Sequence, residues 1–371
     1  MESIAEFLNK IQNMIDADDL GKVPTVIQEY LSRHPEAFDE RFKSELSMIE
    51  KMMDYKSNLS DWAYFRTMKL VYKYLSMQYA GKLPARDDLP PASHSSVTST
   101  DTSIGYGAGQ RTANGAIATN GSGAGQRTAN GSAVQLLSDS DTIWTCWLQG
   151  EEQAPDVVKT CIGSLRKLGR NVVVLTEENI PEYVAIPDYI LQKRAQGIIN
   201  NTHFSDILRV ALLSERGGTW IDATVFISDQ TLIGEVMENY PLFAYSFVMR
   251  DSISDCMLFD SWFLHSVSAN PIILDVRDML YEYWEKEDSL MHYFLFHLTF
   301  SIACRRHPEW NDAIPIFSLE PCHLLQHEML APYDELRWRH IMQCSGVHKL
   351  TYKYDTNANI RGTMLEHLLG L

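Results

Sequence analysis

Three residues in the middle of the chain, Asp206, Arg209 and Asp222, have the types and spacing of a polar binding site. Asp206 and Arg209 are three positions apart in a helical pattern, so their side chains can lie side by side. Asp222 follows a short run of strand-forming residues and therefore lies at the carboxyl end of a predicted strand, where open α/β sheets bind ligands. A carboxylate there can bind a divalent cation or accept hydrogen bonds from hydroxyl groups, and an arginine can donate to phosphate or hydroxyl oxygens.

These residues must be positioned by a helix, a glycine that ends it and a short strand. The helix is predicted from apolar residues with helical spacing, and Gly217 suits a left-handed helix end before the strand residues Thr219 to Ile221. Two plainer interpretations stay open: Asp222 as the cap of a turn, and Asp206 with Arg209 as an exposed ion pair worth about 0.2–0.5 kcal/mol. The apolar residues of the helix are Phe204, Ile207, Leu208, Ala211 and Leu212.

The surrounding sequence predicts an α/β fold that begins at Asp141. Apolar runs with strand propensity alternate with helical patterns, which is typical of βαβ units and a parallel sheet. The predicted strands are Thr142 to Leu148, Asn171 to Leu175, Val225 to Ile227 and Leu242 to Phe247, with a strand or loop at Ser345 to Lys353. The predicted helices include one that begins at Ala154-Pro155, Pro271 to Trp284 and Ser289 to Cys304.

The chain divides by composition into three predicted domains. Residues 1–83 contain four short amphipathic patterns, which predict a small helical bundle for docking or oligomerisation. Residues 84–138 are rich in Ser, Thr, Gly, Ala and Asn and repeat one nine-residue segment at 107–115 and 123–131, so we predict a disordered linker. Residues 139–371 form the predicted α/β domain.

Charge and cysteine usage exclude several classes of protein. The net charge is −16 and no basic cluster occurs, which argues against nucleic acid as a partner and against a polybasic membrane anchor. The six cysteines show neither disulfide nor metal spacing and are expected to be reduced core residues. Together with the absence of a signal-peptide pattern, this predicts a cytoplasmic protein.

The segment SDILR at 205–209 and the segment GGTWIDAT at 217–224 resemble a signature of sugar-nucleotide-dependent glycosyltransferases with the GT-A fold. The relatives are the Golgi mannosyltransferases with a DXD motif and the glucosylating bacterial toxins. Over about 140–371 the chain most resembles the capsular polysaccharide synthesis protein family of bacteria. The resemblance implies a GT-A-type, Rossmann-like sheet that binds a nucleotide sugar.

The resemblance also implies a divalent metal, Mn²⁺ or Mg²⁺, that neutralises the departing diphosphate. Asp222 occupies the first position of the DXD motif, but Thr224 replaces the second carboxylate. Members of this fold often bring a C-terminal side chain to the metal, and His348 is the candidate here. A purely structural role for His348 stays open, and Lys349 or Lys353 could neutralise the diphosphate instead.

Further contacts follow from the same resemblance. Asp206 and Arg209 correspond to residues that contact the donor sugar. Trp147, at the end of the first predicted strand, corresponds to a tryptophan that stacks on the nucleotide base, with Gln149 and Gly150 in the same loop. Core packing is the alternative for Trp147.

The resemblance implies a bacterial glycosyltransferase that moves a hexose from a UDP- or GDP-sugar to a growing, lipid-linked capsular or surface polysaccharide, with retention of configuration. Such an acceptor implies peripheral association with the cytoplasmic face of the inner membrane or with a polysaccharide-synthesis complex. Two alternatives stay open: a non-catalytic nucleotide-sugar-binding scaffold, and a metal-dependent phosphotransferase or hydrolase acting on the same nucleotides.

Overall fold

The computed structural model describes residues 4–17, 59–86, 141–247, 256–354 and 359–370, together with the single positions 26, 29 and 33. Seven strands are present in these ranges: β1 (Thr142–Cys146), β2 (Asn171–Leu175), β3 (Gly218–Ile221), β4 (Val225–Ile227), β5 (Leu242–Ser246), β6 (Phe259–Ser266) and β7 (Val347–Lys349).

Helices surround these strands on both sides. The helices of the N-terminal part are α1 (Ile4–Asp16) and α2 (Leu59–Gln78). Those of the remaining chain are α3 (Asp156–Arg166), α4 (Ile180–Tyr183), α5 (Asp188–Ala195), α6 (Asn201–Arg216), α7 (Thr231–Asn239), α8 (Pro271–Lys286), α9 (Leu295–Arg306), α10 (Pro308–Asn311), α11 (Leu324–Glu328), α12 (Glu335–Cys344) and α13 (Met364–Leu369).

Five strands form the central sheet in the order β2-β1-β3-β6-β5. Strand β1 runs parallel to both β2 and β3, whereas β6 is antiparallel to both β3 and β5. Four strands therefore point in one direction and only β6 is reversed. The predicted α/β class with a mostly parallel sheet is confirmed. Strands β4 and β7 form a separate antiparallel pair beside it.

Both faces of the central sheet are covered: side chains alternate along each strand, and successive residues pack into core clusters on opposite faces. Trp144 and Trp220 are register partners on β1 and β3 and pack into the larger core cluster with helices α6, α8 and α9. Ile143 and Ile221 point to the opposite face and pack with helix α7. Because both faces are covered, the sequences of these strands are apolar at nearly every position.

Helix α6 ends at Gly217, as the sequence predicts, and its start is set by a side-chain cap that was not predicted. The Asn200 side chain caps its first turn by accepting a hydrogen bond from the His203 backbone N–H at 3.0 Å. Gly217 ends it with a φ of 68°, and a Cβ at this position would lie 2.7 Å from the backbone nitrogen of Ser268. Only glycine fits both the conformation and the space, so the chain can turn directly into β3.

One predicted helix begins later than expected, and one strand was not predicted. The helix predicted from Ser289 begins only at Leu295, because the preceding segment wraps around Tyr283: the Tyr283 hydroxyl donates to the Ser289 carbonyl at 2.6 Å and accepts from the Met291 N–H at 2.9 Å. Strand β6 was not predicted at all. Its buried polar residues, including His265, break the alternation that marks a strand.

The two described N-terminal helices pack on the α/β part, since α2 contacts α9 and both contribute to the same core cluster. The contact continues to Arg86, whose Nε donates to the buried Asp275 at 2.9 Å. The first residues of the predicted linker, 84–86, therefore lie against α8. The second and third predicted helices and residues 87–138 fall outside the described residues apart from three single positions, and the division into three domains stays a prediction.

Two further expectations concern membrane segments and thiols. None of the helices in the described ranges is both long and apolar enough to cross a bilayer. Four of the six cysteines, Cys161, Cys256, Cys304 and Cys322, are buried as expected. Cys146 is only partly buried, and Cys344 is exposed.

Candidate nucleotide-sugar site

A cleft of about 510 Å³ opens at the carboxyl ends of β1 and β3. Its size suits a small-molecule ligand. Asp222, Thr224, Trp147, Gln149 and Lys349, which the sequence nominated from distant parts of the chain, all line it. The other lining residues are Cys146, Leu148, Gln153, Pro155, Asn201, Thr202, Ser205, Trp220, Ala223, Tyr352 and Lys353.

Asp222 lies in the turn between β3 and β4, and its backbone N–H donates to the Trp262 carbonyl at 2.8 Å. Its Oδ1 accepts hydrogen bonds from Trp220 Nε1 at 2.9 Å and from Arg209 Nη2 at 3.0 Å. Its Oδ2 accepts from Lys349 Nζ at 2.6 Å. Both carboxylate oxygens are therefore oriented by charged or polar donors, which exceeds what a simple turn cap requires.

These neighbours fix the charge of Asp222. Burial by itself raises the pKa of this carboxyl group, but the Lys349 ammonium and the Arg209 guanidinium outweigh it and lower the pKa from 3.8 to about 2. The group is therefore a carboxylate throughout the physiological pH range.

Lys349 lies between the two oxygens to which the sequence assigned a divalent cation. Its Nζ donates to Asp222 Oδ2 and, at 3.0 Å, to Thr224 Oγ1. Within the described part of the chain, no group of three or more His, Cys, Asp or Glu residues is placed to hold a metal ion. One carboxylate, one hydroxyl and an intervening ammonium do not match the oxygen-rich ligand set of Mg²⁺ or Mn²⁺. Metal dependence stays a prediction, and this donor set does not fit it.

The structure does not bring His348 to Asp222. Successive residues of β7 point to opposite sides, so Lys349 faces the cleft and His348 faces away from it. The imidazole is fully buried, with Nε2 at 2.8 Å from Ser228 Oγ and the ring against Phe226. Burial lowers the pKa of His348 from 6.5 to about 4. The geometry is that of a neutral structural histidine, the alternative that the sequence left open.

Asp206 and Arg209 lie below Asp222 and not in the open cleft. Arg209 donates through Nη1 to Asp206 Oδ1 and through Nη2 to Asp222 Oδ1, with only 3% of its side chain exposed. Its guanidinium carbon lies 4.9 Å from the ring centroid of Trp220. The pair is therefore buried, unlike the exposed ion pair considered above. In this structure Arg209 orients Asp222, and the predicted contacts of Asp206 and Arg209 with a donor sugar stay predictions.

An aromatic wall borders the other side of the cleft. The ring of Trp147 meets that of Tyr352 edge to face, with the centroids 5.2 Å apart. Trp147 is half-buried, and its Nε1 has no hydrogen-bond partner within the described protein. Gln149 is exposed at the cleft, and Gly150, with a φ of 85°, turns the chain just beyond it. Trp144, three positions earlier, points elsewhere: it is buried and donates to the Gly217 carbonyl at 2.9 Å.

The sequence did not nominate three aromatic residues that shape this site, Trp220, Trp262 and Tyr352. Period-two alternation could have indicated Trp220, because it lies two positions before Asp222 on the same side of the strand. Trp262 lies on β6, and its ring centroid is 6.0 Å from Lys349 Nζ. It could not have been found without knowing that β6 pairs with β3.

The model of the capsular polysaccharide synthesis protein family matches residues 119–368, which is more than half of the chain. No curated protein matches. Among solved structures, PaToxG Glycosyltransferase is similar at 14% identity over 63% of this chain and 91% of that chain, with a TM-score of 0.31. The family match confirms the membership that the motifs predicted: this chain belongs to the capsular polysaccharide synthesis protein family.

Proposed function

We propose that the protein is a glycosyltransferase of the GT-A type that transfers a hexose from a UDP- or GDP-sugar to a growing capsular or surface polysaccharide. The observation that carries the proposal is the composition of the cleft. The aromatic side chains of Trp147 and Tyr352 line one side of the cleft, and the lysines Lys349 and Lys353 also line it. The Asp222 carboxylate, oriented by its hydrogen bonds, lies at the bottom of the cleft.

Each part of this cleft suits one part of a nucleotide sugar. A half-buried tryptophan ring can stack on a base, which is worth about 1–3 kcal/mol. Lysine ammonium groups can neutralise a diphosphate. The Asp222 carboxylate can accept hydrogen bonds from ribose or hexose hydroxyl groups. The proposed acceptor, a glycan or lipid-linked glycan, is supported by the family alone.

Product analysis tests the reaction class. The full chain is incubated with a panel of UDP- and GDP-hexoses, and the nucleotide products are separated. A glycosyltransferase without its acceptor is expected to hydrolyse its donor slowly, which releases UDP or GDP together with free hexose. Release of UMP or GMP with hexose phosphate would identify a phosphohydrolase instead.

The binding scaffold gives a third result. A scaffold would bind one nucleotide sugar without forming any product, even when extracts containing lipid-linked glycans are added. Thermal unfolding detects such binding, because a ligand at a hundred times its dissociation constant adds about 2.7 kcal/mol of apparent stability. Failure of every UDP- and GDP-hexose to stabilise the protein would contradict both the transferase and the scaffold.

A further inference from the structure

Lys349 is held rigidly at the position from which it can meet a ligand. Its backbone pairs with Val225 across the β4–β7 sheet, and the next residue, Leu350, donates its N–H to the Thr224 carbonyl at 2.8 Å. The side chain is 19% exposed, and the residue lines the cleft. The strand pairing therefore fixes the backbone of Lys349, and the side chain still reaches the surface of the cleft.

The hydrogen bonds of this ammonium leave one donor for a ligand. A lysine ammonium has three N–H donors and no acceptor. Two of them are used by Asp222 Oδ2 and Thr224 Oγ1, and the ammonium makes no other hydrogen bond to the described residues. The third donor can serve a ligand in the cleft, and a phosphate oxygen is a strong acceptor for it.

The same position cannot also hold a divalent cation. An ion bound to Asp222 Oδ2 and Thr224 Oγ1 would need the space that the ammonium fills, and two positive charges in direct contact repel each other. The charges beneath the cleft are already balanced, since the carboxylates of Asp206 and Asp222 face the cations of Arg209 and Lys349.

We propose that Lys349 is the built-in cation of this cleft: its ammonium, held by Asp222 and Thr224, donates to an oxygen of a nucleoside diphosphate where related sites would use a divalent metal. This inference rests on the proposed function. It also gives a physical reason why threonine stands at position 224 in place of a second carboxylate. The Thr224 hydroxyl accepts from the ammonium at 3.0 Å without adding a negative charge that would repel the diphosphate.

Calorimetric titration of the full chain tests the proposal with UDP and GDP as probes, each against its monophosphate, UMP or GMP. In EDTA the wild type is expected to bind one diphosphate, and added Mn²⁺ or Mg²⁺ is expected to leave that affinity unchanged. Lys349→Met keeps the side-chain length but removes the charge. It is expected to weaken diphosphate binding by about ten- to a hundredfold, the range for a hydrogen bond to a charged group. Lys159→Met, an exposed lysine of α3, is the matched control and is expected to bind like the wild type.

A second variant asks whether a metal can replace the lysine. Lys349→Met combined with Thr224→Asp restores two carboxylates and removes the ammonium, so Mn²⁺ is expected to increase its diphosphate affinity while leaving the wild type unaffected. Wild-type binding that requires Mn²⁺ or Mg²⁺ would overturn the inference and leave the proposed function standing. If neither diphosphate binds with or without metal, the proposed function fails and the inference fails with it. The wild-type titration in EDTA needs no variant, so misfolding of a variant cannot decide the result.

Discussion

Replacing Arg209 with methionine is expected to destabilise the fold strongly. Arg209 has 3% of its side chain exposed and joins two carboxylates, of which the Asp206 side chain is 11% exposed. Methionine retains the apolar stem but leaves Asp206 without its guanidinium partner. Removing one member of a buried ion pair typically costs about 3–5 kcal/mol.

The cost can be read from thermal unfolding. For a domain of this size, 1 kcal/mol corresponds to about 2–4 °C, so Arg209→Met is expected to lower the melting temperature by about 6–20 °C. Arg339→Met is the matched control, because its side chain is 67% exposed and pairs with Glu335 at the surface. That change is expected to cost about 0–1 kcal/mol.

A compensating variant separates lost charge pairing from lost packing. Arg209→Met with Asp206→Asn removes the orphaned charge and is expected to recover part of the melting temperature. The reasoning would be refuted if Arg209→Met unfolded within 2 °C or so of the wild type. It would also be refuted if the double variant were no more stable than the single one.

Three other changes give distinct expected results. Trp147→Ala should weaken UDP or GDP binding by about 1–3 kcal/mol in calorimetry. Trp144→Ala, in the core, should instead lower the unfolding free energy by about 3–5 kcal/mol. Equal nucleotide affinity in Trp147→Ala and the wild type would show that Trp147 is not part of the site. Burial lowers the pKa of His348 to about 4, so the imidazole is protonated less readily in the folded state than in the unfolded state. The protein is therefore expected to lose stability as the pH falls from 6.5 towards 4. In denaturant titrations, His348→Gln should lose up to about 3 kcal/mol less unfolding free energy than the wild type over that pH interval. The same pH dependence in the variant and the wild type would contradict the assignment of His348 as a buried neutral histidine. Arg86→Met should lower the unfolding free energy by about 1–3 kcal/mol, because it removes one donor to the buried Asp275, and an unchanged denaturation midpoint would show that this contact does not hold the N-terminal part.

The α6–β3 unit could be predicted from the sequence because its signals are local. The apolar spacing of α6, the glycine at its end and the strand residues before Asp222 all lie within one short segment. The same holds for β1 and β2, whose apolar runs are typical of a covered parallel sheet. Asp222 and the position of the cleft follow from this local information together with the rule for where such sheets bind ligands. Trp147 was nominated by the family resemblance instead.

The role of Lys349 could not be predicted in the same way, because it depends on long-range strand pairing. The sequence placed His348 and Lys349 together in the tail as alternatives, and only the register of β7 with β4 decides which of them faces the cleft. A shift of one residue would exchange their positions. Similarly, the late start of α9 depends on hydrogen bonds with Tyr283 on the preceding helix, which no local pattern contains.

The most direct test of the central claim is donor turnover in a matched pair of aspartate variants. Asp222→Asn keeps the shape of the side chain but removes the charge that holds Lys349 and Arg209, whereas Asp188→Asn changes an exposed residue at the start of α5. Release of UDP or GDP from the preferred nucleotide hexose is measured for both variants and the wild type under identical conditions. Loss of a hydrogen bond to a charged group predicts turnover about ten- to a hundredfold lower in Asp222→Asn and unchanged in Asp188→Asn. Wild-type turnover in a folded Asp222→Asn would contradict the account.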